Sequence, residues 1–239
     1  MNEHAVLLGC EHRSDMAELT DQELLERARK GDAAALRMLI RRHDKYLYRV
    51  VRSVLADDNE AEDVIQETFI RAFRGLENFR GDANIRTWLT RIALNEAVRR
   101  RRRQRSTVDL GELHEREDRD PRRTSASSWL AGDNDPERAA AQSQMRQILE
   151  RAIDGLRAPF RTVLILRDVE EASVQQTAKL LGIRPETVRT RLHRARRLLR
   201  EKLGDEFASA LKDVFPFERP RCDALVNRVL GQLKSTAVR

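Results

Sequence analysis

The segment from Ala61 to Arg105 constrains the fold most. It reads AEDVIQETFIRAF, passes a Phe-Arg-Gly turn, and continues as NIRTWLTRIALNEAVRRRRRQR. Ala61, Val64, Ile65, Phe69, Ala72 and Phe73 recur with helical spacing and make one apolar stripe. Asp63, Gln66, Glu67 and Arg71 fall off that stripe and are expected to face outward. Asn59, with Glu62 three residues on, is the expected N-cap. A second helix is predicted to open near Asn84, with Ile85, Trp88, Leu89, Ile92 and Ala93 on its buried side. Arg86, Arg91, Asn95, Arg99 and Arg100 point elsewhere. This helix ends in six arginines within seven residues, Arg99 to Arg103 and Arg105. A charge run is most often a solvated tail, but these arginines continue a well-formed helix. One helix therefore offers carboxylates to a basic partner, and the next offers guanidinium groups to a polyanion.

Composition points the same way. The 239 residues carry a net charge of +7 and are 36% charged, a balance that favours nucleic acid or an anionic surface. No apolar run approaches the ~18 residues of a membrane span, so no membrane insertion is expected. No basic leader with an apolar core opens the chain, and Cys10 and Cys222 lie near opposite ends, so a disulfide framework is not expected and a cytoplasmic location fits. His4, Cys10 and His12 supply three of the four ligands of a zinc site at no standard spacing. No metal and no cofactor are expected.

Along the chain, residues 1–18 read as a loose tail. Thr20 and Glu23 form a capping-box pattern for a short helix, and Asp32 caps a longer one with Leu36, Leu39, Ile40, Leu47, Val50, Val51 and Leu55 inside. These helices and the two above make a first unit over 19–105. Residues 106–135, rich in Arg, Asp, Glu and Ser, read as a flexible linker, with Trp129-Leu130 its one apolar exception. Helical periodicity returns over 136–204, with helices expected at 136–155, 159–168, 173–181 and 185–203. Strand signals are weak throughout. The expected fold is all-α: two small helical domains joined by a flexible linker. In the extension 205–239, Cys222, Leu225, Val226, Val229, Leu230 and Leu233 make a helical stripe, expected to dock on the second domain.

Residues 173–203 carry a helix-turn-helix pattern. Val174, Ala178 and Leu181 form the inner side of a first helix. Gly182 permits the positive φ that ends it, and Pro185 suits the first turn of the next. Val188, Leu192, Ala195 and Leu199 form the inner side of that second helix. Its outer face carries Glu186, Arg189, Thr190, His193 and Arg197, flanked by Arg184, Arg191, Arg194 and Arg196. Arginine reads guanine edges bidentately and threonine contacts bases, while Arg191, Arg196 and Arg197 suit phosphates.

Taken together, these motifs resemble the sigma factors of bacterial RNA polymerase, in the extracytoplasmic-function (ECF) subgroup, over residues 19–204. AEDVIQETFIRAF is similar to the core-polymerase-binding segment of sigma domain 2, FRGDANIRTWLTRIALNEAVRRRR to the minus-ten melting segment, and TVRTRLHRAR to the minus-thirty-five reader of sigma domain 4. The resemblance implies that Asp63, Gln66 and Glu67 grip the polymerase clamp helices. It implies that Phe79, Asn84, Ile85 and Asn95 lie where an unstacked base is captured, with Arg91, Arg99 and Arg100 on the phosphates. Trp88, within the apolar stripe, reads as core. Arg184, Glu186, Thr187, Arg189, Thr190, His193 and Arg194 match the promoter-contacting positions. Many relatives carry a small polar cap where Arg184 stands, which bears on sequence preference. The partners implied are core RNA polymerase and promoter DNA. An anti-sigma factor is a third candidate, because the subgroup often has one.

Two rival classes fit the sequence less well. An enzyme needs converging carboxylates, a metal constellation or a Gly-rich phosphate loop, and none is visible, so no catalytic residue is expected. A helix-turn-helix regulator that does not bind core polymerase accounts for 136–204. It leaves Asp63, Gln66, Glu67 and the Arg99 run without a role.

Overall fold

A computed structural model describes residues 18–79, 81, 84–108, 136–203, 211 and 214–237. The N-terminal tail with its His4, Cys10 and His12, and the linker with Trp129-Leu130, lie outside these. Among the described residues every element is helical, and no helix is long and apolar enough to cross a membrane. The chain divides into two compact units, one of residues 1–52, 57–97 and 217–239, the other of residues 53–56 and 98–216.

The first unit opens with α1, Asp21–Arg29. Thr20 caps it and Glu23 closes a reciprocal capping box. Helix α2, Ala33–Leu55, starts at Asp32, whose Oδ1 accepts from the Ala34 and Ala35 amides. Helix α3 runs Asp58–Arg74. Its cap is Asp57 rather than Asn59: Asp57 has extended backbone and accepts from the Glu60 amide at 2.9 Å. A 3-10 turn at Leu76–Asn78 leads on, and α4 covers Ile85–Val108, its residues from Val98 on being assigned to the second unit. Leu39, Ile40, Leu47, Val50 and Val51 of α2 are fully buried, as are Ala61, Val64, Ile65 and Phe69 of α3. Each such large apolar side chain contributes about 1.5–3 kcal/mol of transfer free energy.

The buried arc of α2 is wider than its apolar stripe. His43, Asp44, Arg49 and Arg52 are buried as well. The last helix of the chain, Arg219–Ala237, explains part of this. It packs on α3 of the first unit, and Phe217 ahead of it lies against Tyr48 of α2 at 4.7 Å between ring centroids. The stripe Cys222, Leu225, Val226, Val229 and Leu230 is buried as expected, with Leu233 partly covered, but the helix belongs to the first unit rather than the second. Only the segment just before it belongs to the second: the Phe215 amide donates to Glu150 at 2.8 Å.

Several buried polar groups on α2 have partners, although His43 Nδ1 and Asp44 Oδ2 have no hydrogen-bond partner among the described residues. The Arg52 guanidinium and the Tyr48 hydroxyl donate to Asp58 Oδ1 at 2.6 and 2.8 Å. Burial alone would raise Asp58, but these donors hold its carboxyl below the usual range. His43 Nε2 meets Asp21 Oδ2 at 3.0 Å. Burial lowers its pKa from 6.5; Asp21 opposes the shift, and Arg86 and Arg42 reinforce it. The unfolded chain thus takes up this proton more readily than the folded one. Stability should be intact above pH 6.5 and fall as pH drops through that value. Urea midpoints at pH 7.5 and 5.5 check this: the drop should be smaller in His43→Gln, and an equal drop in both proteins would rule His43 out as its source.

The second unit contains α5, Pro136–Asp154, and α6, Ala158–Leu164, which runs into a π-helical turn at Ile165–Val169. It continues with α7, Val174–Leu181, and α8, Pro185–Leu203. Helix α8 packs on α5, α6 and α7. The final helix, Arg219–Ala237, is α9.

Candidate nucleic-acid interface

The helix-turn-helix is built from strong local signals. Ser173 caps α7 and forms a capping box with Gln176. Gly182 at φ 63° ends it in the left-handed conformation that glycine adopts without strain. Ile183 and Arg184 complete the turn, and Pro185 opens α8. Ala178 is buried, while Val174 and Leu181 are half-buried; Val188, Leu192, Ala195 and Leu199 are buried beneath α8.

This fixes which side of α8 meets solvent. Arg184, Glu186, Arg189, Thr190, His193 and Arg194 are exposed, and Thr187 and Arg191 are half-buried. Arg189 and Glu186 pair loosely at 3.5 Å with both side chains well exposed, a contact worth little to stability. It leaves the guanidinium easy to re-aim. The Thr190 hydroxyl donates to the Glu186 carbonyl at 2.9 Å.

Arg196 behaves differently from its neighbours. Its Nε and Nη2 make a two-point contact with Asp168 at 2.8 and 2.6 Å, and this raises its pKa. Asp168 belongs to the π-helical turn, so this pair braces α8 against that turn. Arg167 of the same turn donates to the Ala172 carbonyl. Arg167, Arg189, Leu192, His193, Arg196 and Arg200, with Val174, line a cleft of about 470 Å³. Sequence reasoning missed Arg167 and Asp168. They lie 28 or more residues from Arg196, and nothing local marks the π-helical turn.

In the first unit, Asn84 caps α4: its Oδ1 accepts from the Arg86 amide at 2.9 Å, and its carbonyl accepts from the Trp88 amide. Phe79 and Ile85 are buried, at 8% and 3% exposure. Trp88 is half-buried, its ring 4.9 Å from that of Phe79. The Phe79 carbonyl accepts from Arg29. Arg91, Asn95 and Arg99 are exposed and recur every fourth residue along α4, so they share one face, while Arg100 is half-buried.

The acidic side of α3 is engaged by basic groups. Asp63 is exposed; Gln66 and Glu67 are partly covered. Glu67 pairs with Arg71 at 2.6 Å, and Arg71 reaches on to Glu96 of α4 at 2.8 Å. The bond to Glu67, with the nearby Glu96, raises the Arg71 pKa against the opposing effect of burial. From α9, Arg228 Nε donates to Gln66 at 2.7 Å and its Nη2 to Glu62 at 3.3 Å. Arg221 Nε donates to Glu62 at 2.6 Å. Arg221 and Arg228 were not singled out from the sequence, and Glu62 only as a capping-box residue, because their partnership spans more than 150 positions.

A helix-turn-helix with a basic outer face, joined in one chain to an acidic helix and an arginine-ended helix, defines a DNA-binding protein with a second, protein-binding surface. Known proteins place it further. Residues 39–107 match the Sigma-70 region 2 family and residues 146–199 match Sigma-70 region 4. The chain is 34% identical over 191 residues to the ECF RNA polymerase sigma-E factor of Escherichia coli (strain K12), covering 78% of this chain and 95% of that protein. It is also 34% identical to the RNA polymerase sigma-H factor of Pseudomonas aeruginosa, over 77% of this chain and 93% of that one. Among solved structures it resembles the sigma factor RpoE from Bartonella quintana, crystallised with the anti-sigma factor NepR. The TM-score is 0.53 at 24% identity, covering 67% and 91% of the two chains, a likeness of fold. The chain belongs to the ECF sigma factors, a family of transcription initiation factors rather than enzymes. It directs promoter-specific initiation by RNA polymerase.

Proposed function

We propose a division of labour among three surfaces. Asp63, Gln66 and Glu67 on α3 grip the clamp helices of core RNA polymerase. Asn95, with Arg91, Arg99 and Arg100 of α4, takes hold of the displaced strand at the minus-ten element, and Phe79, Asn84 and Ile85 at the start of that helix shape the site for an unstacked base. Arg184, Glu186, Thr187, Arg189, Thr190, His193 and Arg194 read the minus-thirty-five element. The observation that carries this reading is the segregation of charge: carboxylates lie outward on α3 and guanidinium groups lie outward on α4 and α8. Melting needs both a site for an unstacked base and cations for the freed strand. A sigma factor works where polymerase is, so the cytoplasm is its place. An anti-sigma factor is a further candidate partner, expected from the subgroup rather than from any contact in this chain.

Run-off transcription with core polymerase on genomic templates tests the reading. Discrete promoter-dependent products are expected; a protein that fails to co-purify with core would instead be a conventional helix-turn-helix regulator. Arg189→Ala should cost on the order of 1–3 kcal/mol at one or two base pairs of the upstream element. Binding measured across a set of single-base promoter variants checks this, and an equal loss on every sequence would reduce Arg189 to a phosphate contact.

A further inference from the structure

We propose that α9 is a built-in occupant of the polymerase-binding face and must leave α3 before core polymerase can seat there. This rests on the assignment of Asp63, Gln66 and Glu67 to polymerase made above, and adds a regulator of that same face carried by the chain itself.

Glu62, Asp63, Gln66 and Glu67 stand at i, i+1, i+4 and i+5 along one side of α3. A partner that grips this row has to bring cationic donors to its carboxylates and amide. Helix α9 already brings them. Arg228 takes the Gln66 side-chain oxygen at 2.7 Å and one Glu62 oxygen at 3.3 Å, and Arg221 takes the other Glu62 oxygen at 2.6 Å. Contacts of this kind between a charged donor and a carboxylate are short and strong. Arg228 thus occupies one of the two lone pairs of the Gln66 oxygen and competes there with any donor from polymerase.

The seat is apolar beneath its charged rim. Leu225, Val226 and Val229 are fully buried, and Cys222 and Leu230 nearly so. Arg221 lies over the Tyr48 ring at 4.8 Å and the Phe217 ring at 5.4 Å. Arg41 of α2 pairs with Asp223 at 2.6 Å, and the Cys222 thiol lies beside the Asp44 carboxylate. The occupant is thus held by an apolar stripe and by ion pairs to two helices. Being tethered, it faces α3 at a high effective concentration. Polymerase binds only the fraction of molecules in which α9 has lifted, so its apparent affinity is lowered by that fraction.

Cys222 reports the state of α9. Docked, it is buried, and burial with the adjacent Asp44 pushes its thiol up to about 12, so little reactive thiolate exists. Lifting α9 exposes it. The experiment measures core-polymerase Kd and the alkylation rate of Cys222, read from its own peptide by mass spectrometry, in the full chain. Arg228→Glu sets a carboxylate against Glu62. Asp223→Arg sets a cation against Arg41. Both positions are solvent-accessible, and neither is a proposed polymerase contact. Each variant should alkylate Cys222 faster and bind core at least tenfold tighter. Adding Arg41→Asp to Asp223→Arg restores an opposite-charge pair and should return both readings towards wild type. In the wild-type protein, saturating core polymerase should itself speed Cys222 alkylation.

A core Kd in Arg228→Glu that is unchanged or weaker, or a wild-type Cys222 that stays protected on saturating core, overturns the proposal. Glu67→Lys separates the two readings. If it loses core binding while Arg228→Glu changes nothing, the polymerase face stands and the occupant role of α9 falls. If Glu67→Lys binds core normally, the face assignment falls and the occupant role falls with it.

Discussion

Glu67→Lys is expected to weaken core-polymerase binding by on the order of 2–5 kcal/mol, about thirtyfold or more in Kd. The reversal replaces attraction with repulsion opposite a basic partner, and desolvation in the interface amplifies both. The fold should tolerate the change. The Glu67 side chain is 43% exposed and its partner Arg71 is equally so. A lysine four residues before Arg71 costs only about 0.2–0.5 kcal/mol on a helix. Arg71 also keeps its 2.8 Å pair with the better-buried Glu96. Fluorescence anisotropy against core enzyme and a thermal unfolding curve, taken together, check this. Lost affinity with an unchanged melting temperature is the expected result. Lost affinity with a large drop in melting temperature would make Glu67 a structural residue instead.

The helix-turn-helix was legible in the sequence because its determinants are local. Ser173 and Gln176 close a capping box, Gly182 supplies a positive φ, and Pro185 opens the next helix, all within thirteen positions. Apolar spacing then assigns the inner faces without further information. The start of α3 was misplaced by two residues for a reason equally local. Asp57, Asp58 and Asn59 are all good caps, and only the backbone decides among them.

What was not legible depends on distant partners. The stripe on α9 announces that one face is buried, but not what buries it. That is set by Arg221 and Arg228 meeting Glu62 and Gln66, and by Cys222 meeting Asp44. The burial of His43, Asp44, Arg49 and Arg52 on α2 breaks the rule that polar residues mark the wet face of a helix. It is tolerated where partners such as Asp58 and Asp21 stand ready. The π-helical turn that sets Asp168 against Arg196 leaves no periodic trace at all. Phe79 shows the limit of carrying a role over by position. At 8% exposure against Trp88 it suits the floor of a base site better than its wall.

The second large effect is expected on α4 rather than α3. The double change Asn95→Ala, Arg99→Ala should leave core binding near normal and sharply impair promoter opening. Asn95 and Arg99 are exposed, four residues apart on α4, and neither belongs to the acidic side of α3. Removing the Asn95 amide takes a hydrogen-bonding group from the proposed base site, on the order of 1–3 kcal/mol. Removing Arg99 takes away a cation that the proposal places on the displaced strand. Its loss should lower the salt dependence of opening by about 0.7 in log–log slope, the value for one single-strand phosphate contact. The two losses differ in kind, so salt separates them. Asn95→Ala alone should weaken opening at every salt concentration with the slope unchanged, whereas Arg99→Ala alone should matter most at low salt. Permanganate reactivity of promoter thymines, followed against salt for the two single variants and the double, reads both quantities. Normal opening in the double variant would remove α4 from the melting step. An unchanged salt slope in Arg99→Ala would take that arginine off the phosphates and leave Asn95 as the strand contact.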